Sequence, residues 1–175
     1  QMIRSGEADL ILDAVPSNLI GSLQNDSSIK VSVFDSWLNL PLLINTKKYP
    51  TDNKDFRIAL THLVDQATIA NDIFGGNASV PKSCIPQSMW GAGEYDLPKF
   101  DVAEARRLLE ESGVPQSDWK VTYFVYNGRP ELAQIAEYLQ AIGSEIGLTV
   151  QIEQGEWGVL WDKQKRLETA ANLFA

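Results

Sequence analysis

Residues 54–69, KDFRIALTHLVDQATI, hold Arg57, the chain's one histidine His62 and Asp65 within nine residues of one another. A guanidinium, an imidazole and a carboxylate that met on one face would suit acid–base or nucleophilic chemistry. The spacing argues against such a meeting. Phe56, Ala59, Leu60, Leu63, Val64 and Ala67 follow the i, i+3, i+4, i+7, i+8, i+11 stripe, which predicts one amphipathic helix over 54–69 with that stripe as its core face. His62 and Asp65 fall on the far side and Arg57 at its margin, about 12 Å along the axis from Asp65. His62 and Asp65 can pair across one turn, for about 0.2–0.5 kcal/mol on an exposed face. No catalytic residue is expected on this reading; the alternative is a small hydrolase or transferase that recruits His62. Ile58, on the polar side, needs cover from outside the helix.

A second candidate is the loop YNGRP, Tyr126 to Pro130. In a parallel sheet, ligands collect at the carboxyl ends of the strands. Gly128 lets a backbone approach closely, Arg129 offers a bidentate fork, and the N–H groups of a following helix are free, which together suit capture of a carboxylate. An ordinary surface loop with a solvated arginine is the alternative. Elsewhere the chain has no G-x-S-x-G elbow, no Walker loop and no G-x-G-x-x-G. FGGNAS at 74–79 has glycines but no lysine to reach a phosphate, so it reads as a loop after a helix. Glu110 with Glu111, and Glu153 with Glu156, read as solvated carboxylates. Of the five tryptophans, Trp37, Trp90, Trp119, Trp157 and Trp161, most sit near the ends of elements. Trp119 is expected in the core and Trp90, inside CIPQSMWGAGEY, facing a cleft.

The elements that must carry these residues are uneven in clarity. ADLILDAV at 8–15 reads as a short buried strand that ends at Pro16, followed by a helix with Ser17 or Asn18 near its cap. QNDSS at 24–28 marks a turn. IKVSVFD and WLNLPLLIN read as extended, with Pro41 placing the second on a sheet edge or in a crossover, so a hinge or domain boundary is expected within 28–46. FDVAEARRLLEESGV carries a full helix signature: Asp101 as N-cap, Glu104 three residues on, Ala105, Leu108 and Leu109 on one face, Gly113 past the end. WKVTYFVYN suits an interior strand, and Pro130 opens a helix whose Leu132, Ile135, Ala136, Leu139 and Ile142 share a stripe that ends near Gly147. LTVQIEQ alternates as a strand. Strand, helix, strand in this order is a βαβ unit with parallel strands, so the fold class is α/β.

Composition narrows the function further. A net charge of −8 and a pI near 4.6 argue against nucleic acid as a partner, because phosphate binding needs clustered Lys and Arg. Cys84 is the single cysteine, so no internal disulfide and no thiolate metal cage is expected, and the redox compartment is not readable. No apolar run approaches the roughly 20 residues of a membrane span. QMIRSGEADL and ETAANLFA both run on in apolar sequence, which reads as a piece of a longer chain with any targeting segment outside it.

Taken in order, LINTKKYPTDNKDFRIALTHLVDQ, IPQSMW, FDVAEARRLLEESGV and YLQAIGSEIGLTVQIEQGEW resemble the extracellular solute-binding proteins of family 5, the oligopeptide-, dipeptide- and nickel-binding components of ABC importers. The matching positions are Asn45 and Thr46, Arg57 through Leu60 with Asp65, Phe100 and Asp101 through Gly113, and Ile146 to Trp157. SGEADLILDAVP also resembles the segment by which that family's chain leaves its first lobe. Gln66 departs from the arginine usual there. The family's Gly-Trp-x-x-Asp-type segment, which holds a peptide's amino group, has no counterpart here.

The resemblance implies a lobe of a type II periplasmic-binding-protein-like fold with βαβ units and a mostly parallel sheet. It implies residues 1–28 as a remnant of the first lobe, 29–46 as crossover strands, and 47–175 as the second lobe, truncated at its C-terminal end. It implies binding of a short peptide by closure of two lobes and delivery to the permease subunits of an ABC importer, in a periplasmic or extracytoplasmic setting, with no cofactor and no metal. Nickel or another solute of the same family is the alternative ligand. The residues expected to face the ligand are Asn127 and Arg129, with Arg129 as partner of its carboxylate, and then Tyr126, Trp90 and Trp157. The missing first lobe would complete the site.

Overall fold

The computed structural model describes residues 1–11, 15–166 and 172–174. Near the N-terminus two short helices, α1 (Met2–Ser5) and α2 (Ser17–Gln24), are tied together by Arg4, whose guanidinium donates to the Ser22 carbonyl at 3.1 Å. Neither helix buries a side chain. The expected strand over 8–15 falls partly outside the described residues, at 12–14. Residues 8–11 form no strand, and Leu10 and Ile11 are exposed. An apolar run becomes a strand only where a partner edge satisfies its backbone, and among the described residues none pairs with 8–11. The turn at 24–28 is present, with Asp26 accepting from the Ser28 N–H and hydroxyl.

The same limit applies to IKVSVFD and WLNLPLLIN. Of the two expected extended segments, only Leu43–Ile44 enters a ladder, as β1. Val33, Phe34, Trp37 and Leu38 are exposed. Asn39 fixes this stretch to a loop more distant in sequence, its amide donating to the carbonyls of Ser83 and Cys84.

Helix α3 (Lys54–Thr61) begins where the side chain of Asn53 accepts from the Phe56 N–H at 3.0 Å, and it buries Phe56, Ala59 and Leu60. The single helix expected over 54–69 is instead two. The chain leaves the helix at His62 and restarts at α4 (Gln66–Thr68), which runs on into a π-helical turn, Ile69–Ile73. Asp65 is the reason: its carboxylate accepts from the N–H groups of Ala67 and Thr68, both at 3.1 Å, and from the Thr68 hydroxyl at 2.7 Å. A short acidic side chain competes with the helical backbone and so favours a cap over an interior position. Leu63 keeps its core place, but Ala67 is exposed rather than on the core stripe.

Helix α5 (Val102–Glu111) follows its signature: Asp101 accepts from the Glu104 N–H at 2.9 Å, and Gly113, with φ 76°, takes the left-handed turn past the end. The Glu104 carboxylate does not reach back to the cap but pairs with Arg107. Ala59 and Ala105, both fully buried, let α3 and α5 approach, and Asn53 links the start of one to the end of the other by donating to the Ser112 carbonyl at 2.9 Å.

The sheet has four strands in the order β1-β4-β2-β3, with β2 (Lys120–Tyr126), β3 (Thr149–Gly155) and β4 (Leu173–Phe174). β2 pairs in parallel with β3 and β4, while β1 pairs antiparallel with β4 at the edge, so the α/β class and the mostly parallel sheet hold. Val121, Tyr123 and Val125 face a core built with α3, α5 and α6 (Pro130–Glu145), which contributes Leu132, Ile135, Ala136 and Leu139. Phe124 faces the other way, against Leu160 of α7 (Trp157–Gln164). Trp119 is buried as expected, its indole N–H donating to the Val114 carbonyl at 2.9 Å. Tyr123 is fully buried with no partner for its hydroxyl among the described residues, and burial raises its pKa.

Strand β4 has no counterpart in the sequence reading, which saw only an apolar ending. The buried Asn172 seats it. Its amide oxygen accepts from the Thr122 N–H at 3.0 Å and its amide nitrogen donates to the Tyr49 carbonyl and the Thr51 hydroxyl, at 3.2 and 3.0 Å. Its backbone carbonyl accepts from the Asn45 N–H at 2.8 Å. One polar side chain thus holds the central strand, the last strand and the turn before α3 in register.

Candidate functional site

Parallel register brings Tyr126 opposite Gly155, so β2 and β3 end side by side and helices α6 and α7 both start at that edge. The Asn127 N–H donates to the Gly155 carbonyl at 2.8 Å, which extends the ladder by one step. Gly128, with φ 93°, then turns the chain into α6 through a conformation that costs a side-chain-bearing residue more. Gly155 is needed for a different reason. A Cβ there would sit 2.8 Å from the Phe124 ring, so only hydrogen lets β3 close over that aromatic.

Neither helix start is capped by its own residue. Arg129 occupies the N-cap of α6 and Glu156 that of α7, and neither side chain bonds to its helix. Glu156 instead accepts from the Asn127 amide at 2.9 Å, which joins the two loops. Arg129 is exposed, and its guanidinium has no hydrogen bond or ion pair among the described residues. Glu131, buried in the first turn of α6, accepts from the Ser17 N–H at 3.0 Å and so caps α2 from a distance. The edge therefore gathers the N-terminal ends of α2, α6 and α7, whose partial positive charge favours anions.

One wall of the edge is aromatic. The Tyr126 and Trp157 rings meet edge to face, with centroids 5.1 Å apart, and Trp157 stacks on Trp161 at 6.0 Å. The Lys163 ammonium pairs with Glu153 at 3.1 Å and lies 5.2 Å from the Phe124 centroid, which fixes α7 against the end of the sheet.

Of the residues singled out from sequence, Tyr126, Asn127, Arg129 and Trp157 lie on this edge. Trp90 is 92% exposed and makes no ring contact or hydrogen bond with them among the described residues. Three further residues of the edge are not among them: Trp161, which reads only as one of the five tryptophans, Glu156, which reads as a solvated carboxylate, and Glu131. Trp161 was legible, since it stands four residues after Trp157 on one helix. Glu156 and Glu131 were not, because their partners are 29 and 114 residues away.

The cluster weighed at 57–65 comes apart. Arg57 donates to the carbonyls of Thr51 and Asp52, both at 2.9 Å. The Nδ1 of His62 lies 2.8 Å from the Lys99 carbonyl, which can only accept, so that nitrogen carries the proton. The pairing open to His62 and Asp65 is not made, since Asp65 is spent on its cap. Thr68, by its backbone N–H first and then its hydroxyl, holds the Asp65 carboxyl below the ordinary aspartate range. Glu110 and Glu111 pair with Arg106 and Arg107 on the exposed face of α5. Among the described residues no group of three or more His, Cys, Asp and Glu stands together to hold a metal, and no helix is long and apolar enough to cross a membrane.

Comparison with known proteins gives a consistent outcome. The sequence profile of the bacterial extracellular solute-binding proteins, family 5 Middle, matches residues 1–174. The chain is 31% identical over 153 residues to the nickel-binding protein NikA of Staphylococcus aureus, which covers 86% of this chain and 30% of that one. It is 28% identical over 172 residues to the probable di/tripeptide-binding protein 5 of Pseudomonas aeruginosa, covering 96% of this chain and 32% of the relative. Among solved structures it resembles the periplasmic binding protein DppA from Helicobacter pylori in complex with the peptide STSA. There the TM-score is 0.80 at 26% identity, over 99% of this chain and 33% of that one. The chain thus spans about a third of the length of these relatives.

Proposed function

The chain belongs to the bacterial extracellular solute-binding proteins of family 5, and from that premise we propose that it is the part of an ABC importer's binding protein that supplies one wall of a short-peptide site. Residues 47–175 form the second lobe, 29–46 the crossover, and 1–28 what remains of the first lobe. The rest of that first lobe closes over the edge described above and the loaded protein docks on a permease, outside the cytoplasmic membrane. Closure follows from tighter binding of the ligand to the closed arrangement and involves no covalent step.

The observation that carries this reading is the unengaged Arg129 at the start of α6, beside Asn127 and the Tyr126–Trp157 wall. A peptide's C-terminal carboxylate meets there a planar, permanently charged donor and a helix N-terminus. Its backbone and side chains lie against an aromatic surface that binds by area rather than by sequence. Trp90 belongs to this site only if closure brings its loop in.

A nickel complex is the second reading, favoured by the similarity to NikA. Calorimetric titration of the two-lobed protein of which this chain is part, with tri-alanine and, separately, with nickel chloride, distinguishes the two. Saturable heat with the peptide supports the proposal, whereas saturable heat with nickel alone replaces it with the second reading.

A further inference from the structure

Helix α7 packs on the sheet through Leu160, which is 2% exposed and lies against Phe124. Its two tryptophans do not share that work. Trp157 and Trp161 remain 55% and 50% exposed although they are large enough to dominate a core. Their stacked rings, 21° from parallel, form one surface, which the edge-on Tyr126 ring joins to the loop that carries Asn127 and Arg129. At 6.0 Å between centroids nothing can slide between the two indoles, since an inserted ring needs about 3.5 Å on each side. A guest must lie against the outside of the pair.

The charges beside that surface choose the guest. The Lys165 ammonium stands 5.9 Å from the Trp161 centroid and 3.5 Å from the Asp162 carboxylate, while Lys163, two residues from Trp161, lies over Phe124 and pairs with Glu153. One ammonium group, that of Lys165, already supplies the cation that the Trp161 face attracts, so a second cation gains little there. A neutral flat ring is what remains favourable.

We propose that Trp161 is a specificity-determining residue, which with Trp157 selects peptides that carry an uncharged aromatic side chain. This rests on the peptide reading above. An offset or edge-to-face ring pair corresponds to about fivefold to tenfold in affinity.

The test is calorimetric titration of the two-lobed protein of which this chain is part with tri-alanine, with the three tripeptides that place one phenylalanine among alanines, and with the matching lysine peptides. Wild type, Trp161→Ala and Trp161→Phe are compared, each checked for an unchanged far-UV spectrum. Expected is a preference of about fivefold to tenfold for at least one phenylalanine peptide over both tri-alanine and its lysine counterpart. Trp161→Ala collapses the preference to less than about twofold and Trp161→Phe keeps most of it. If wild type binds alanine and phenylalanine peptides alike, or if the preference survives in Trp161→Ala, the inference is overturned while the peptide reading stands. If no peptide binds to any of the three proteins, the peptide reading itself fails and takes this inference with it.

Discussion

Phe56 and Phe34 are the same side chain in two kinds of place. Phe56, fully buried, sits in the first turn of α3 against a core to which α5, α6 and the sheet all contribute, whereas Phe34 is 82% exposed on a stretch without a ladder. The contrast runs through the whole molecule. The β2–α6–β3 unit covers its own apolar residues, strand by helix, within a span of 36 residues from Lys120 to Gly155. Residues 33–38 carry the apolar Val33, Phe34, Trp37 and Leu38, and all four are exposed. Apolar patterning specifies that a surface will be covered; it names the cover only when that cover is close in sequence.

Replacing one side chain in each region puts a number on the contrast. Phe56→Ala should cost the most, about 3–5 kcal/mol by urea denaturation, since it removes a fully buried ring and leaves a cavity. A loss of less than about 1 kcal/mol would mean that the α3–α5 core is not what holds the chain together. Asn172→Ala comes next, at about 2–3 kcal/mol, because it strips buried partners from Thr122 and Thr51 at once. Loss of β4 protection in hydrogen exchange would accompany it.

Asp65→Ala should cost about 1 kcal/mol, as removal of a helix cap does. Its pH dependence has a definite sign. The folded carboxyl lies below its ordinary value, so its stabilisation is complete above that value and is lost as pH falls through the lower, folded one. Asp65→Asn keeps an acceptor but cannot titrate, so its stability should fall less steeply on acidification than that of wild type. Equal slopes would remove Asp65 from the account of acid sensitivity. Phe34→Ala closes the series at less than about 0.5 kcal/mol in this chain. A large effect there would show that residues 29–42 are covered after all.

The sequence was legible where signals are local. Asp101, Gly113, Pro130 and the stripe from Leu132 to Leu139 all act within a few residues, and each element they announce is present. It was less legible where a local rule met a competing one: Asp65 reads as the wet face of a long helix, yet it caps a second helix. It was silent on what depends on distant partners. Strand β4 is two residues long and exists because Asn172 meets Thr122 and Tyr49, and Glu131 matters through Ser17. The candidate site divides in the same way. The loop at 126–130 was found from its residue types, but its pairing with Glu156 and Trp157 came only with the register that sets Tyr126 beside Gly155.

On the proposed reading, Arg129 and the start of α6 receive a peptide's C-terminal carboxylate. A titration of the two-lobed protein with tri-alanine carrying either a free or an amidated C-terminus, wild type against Arg129→Ala, tests this. A charge-assisted hydrogen bond of about 1.5 kcal/mol predicts that wild type favours the free acid by about tenfold and that Arg129→Ala binds both forms alike. A tenfold preference that persists in Arg129→Ala would contradict the account.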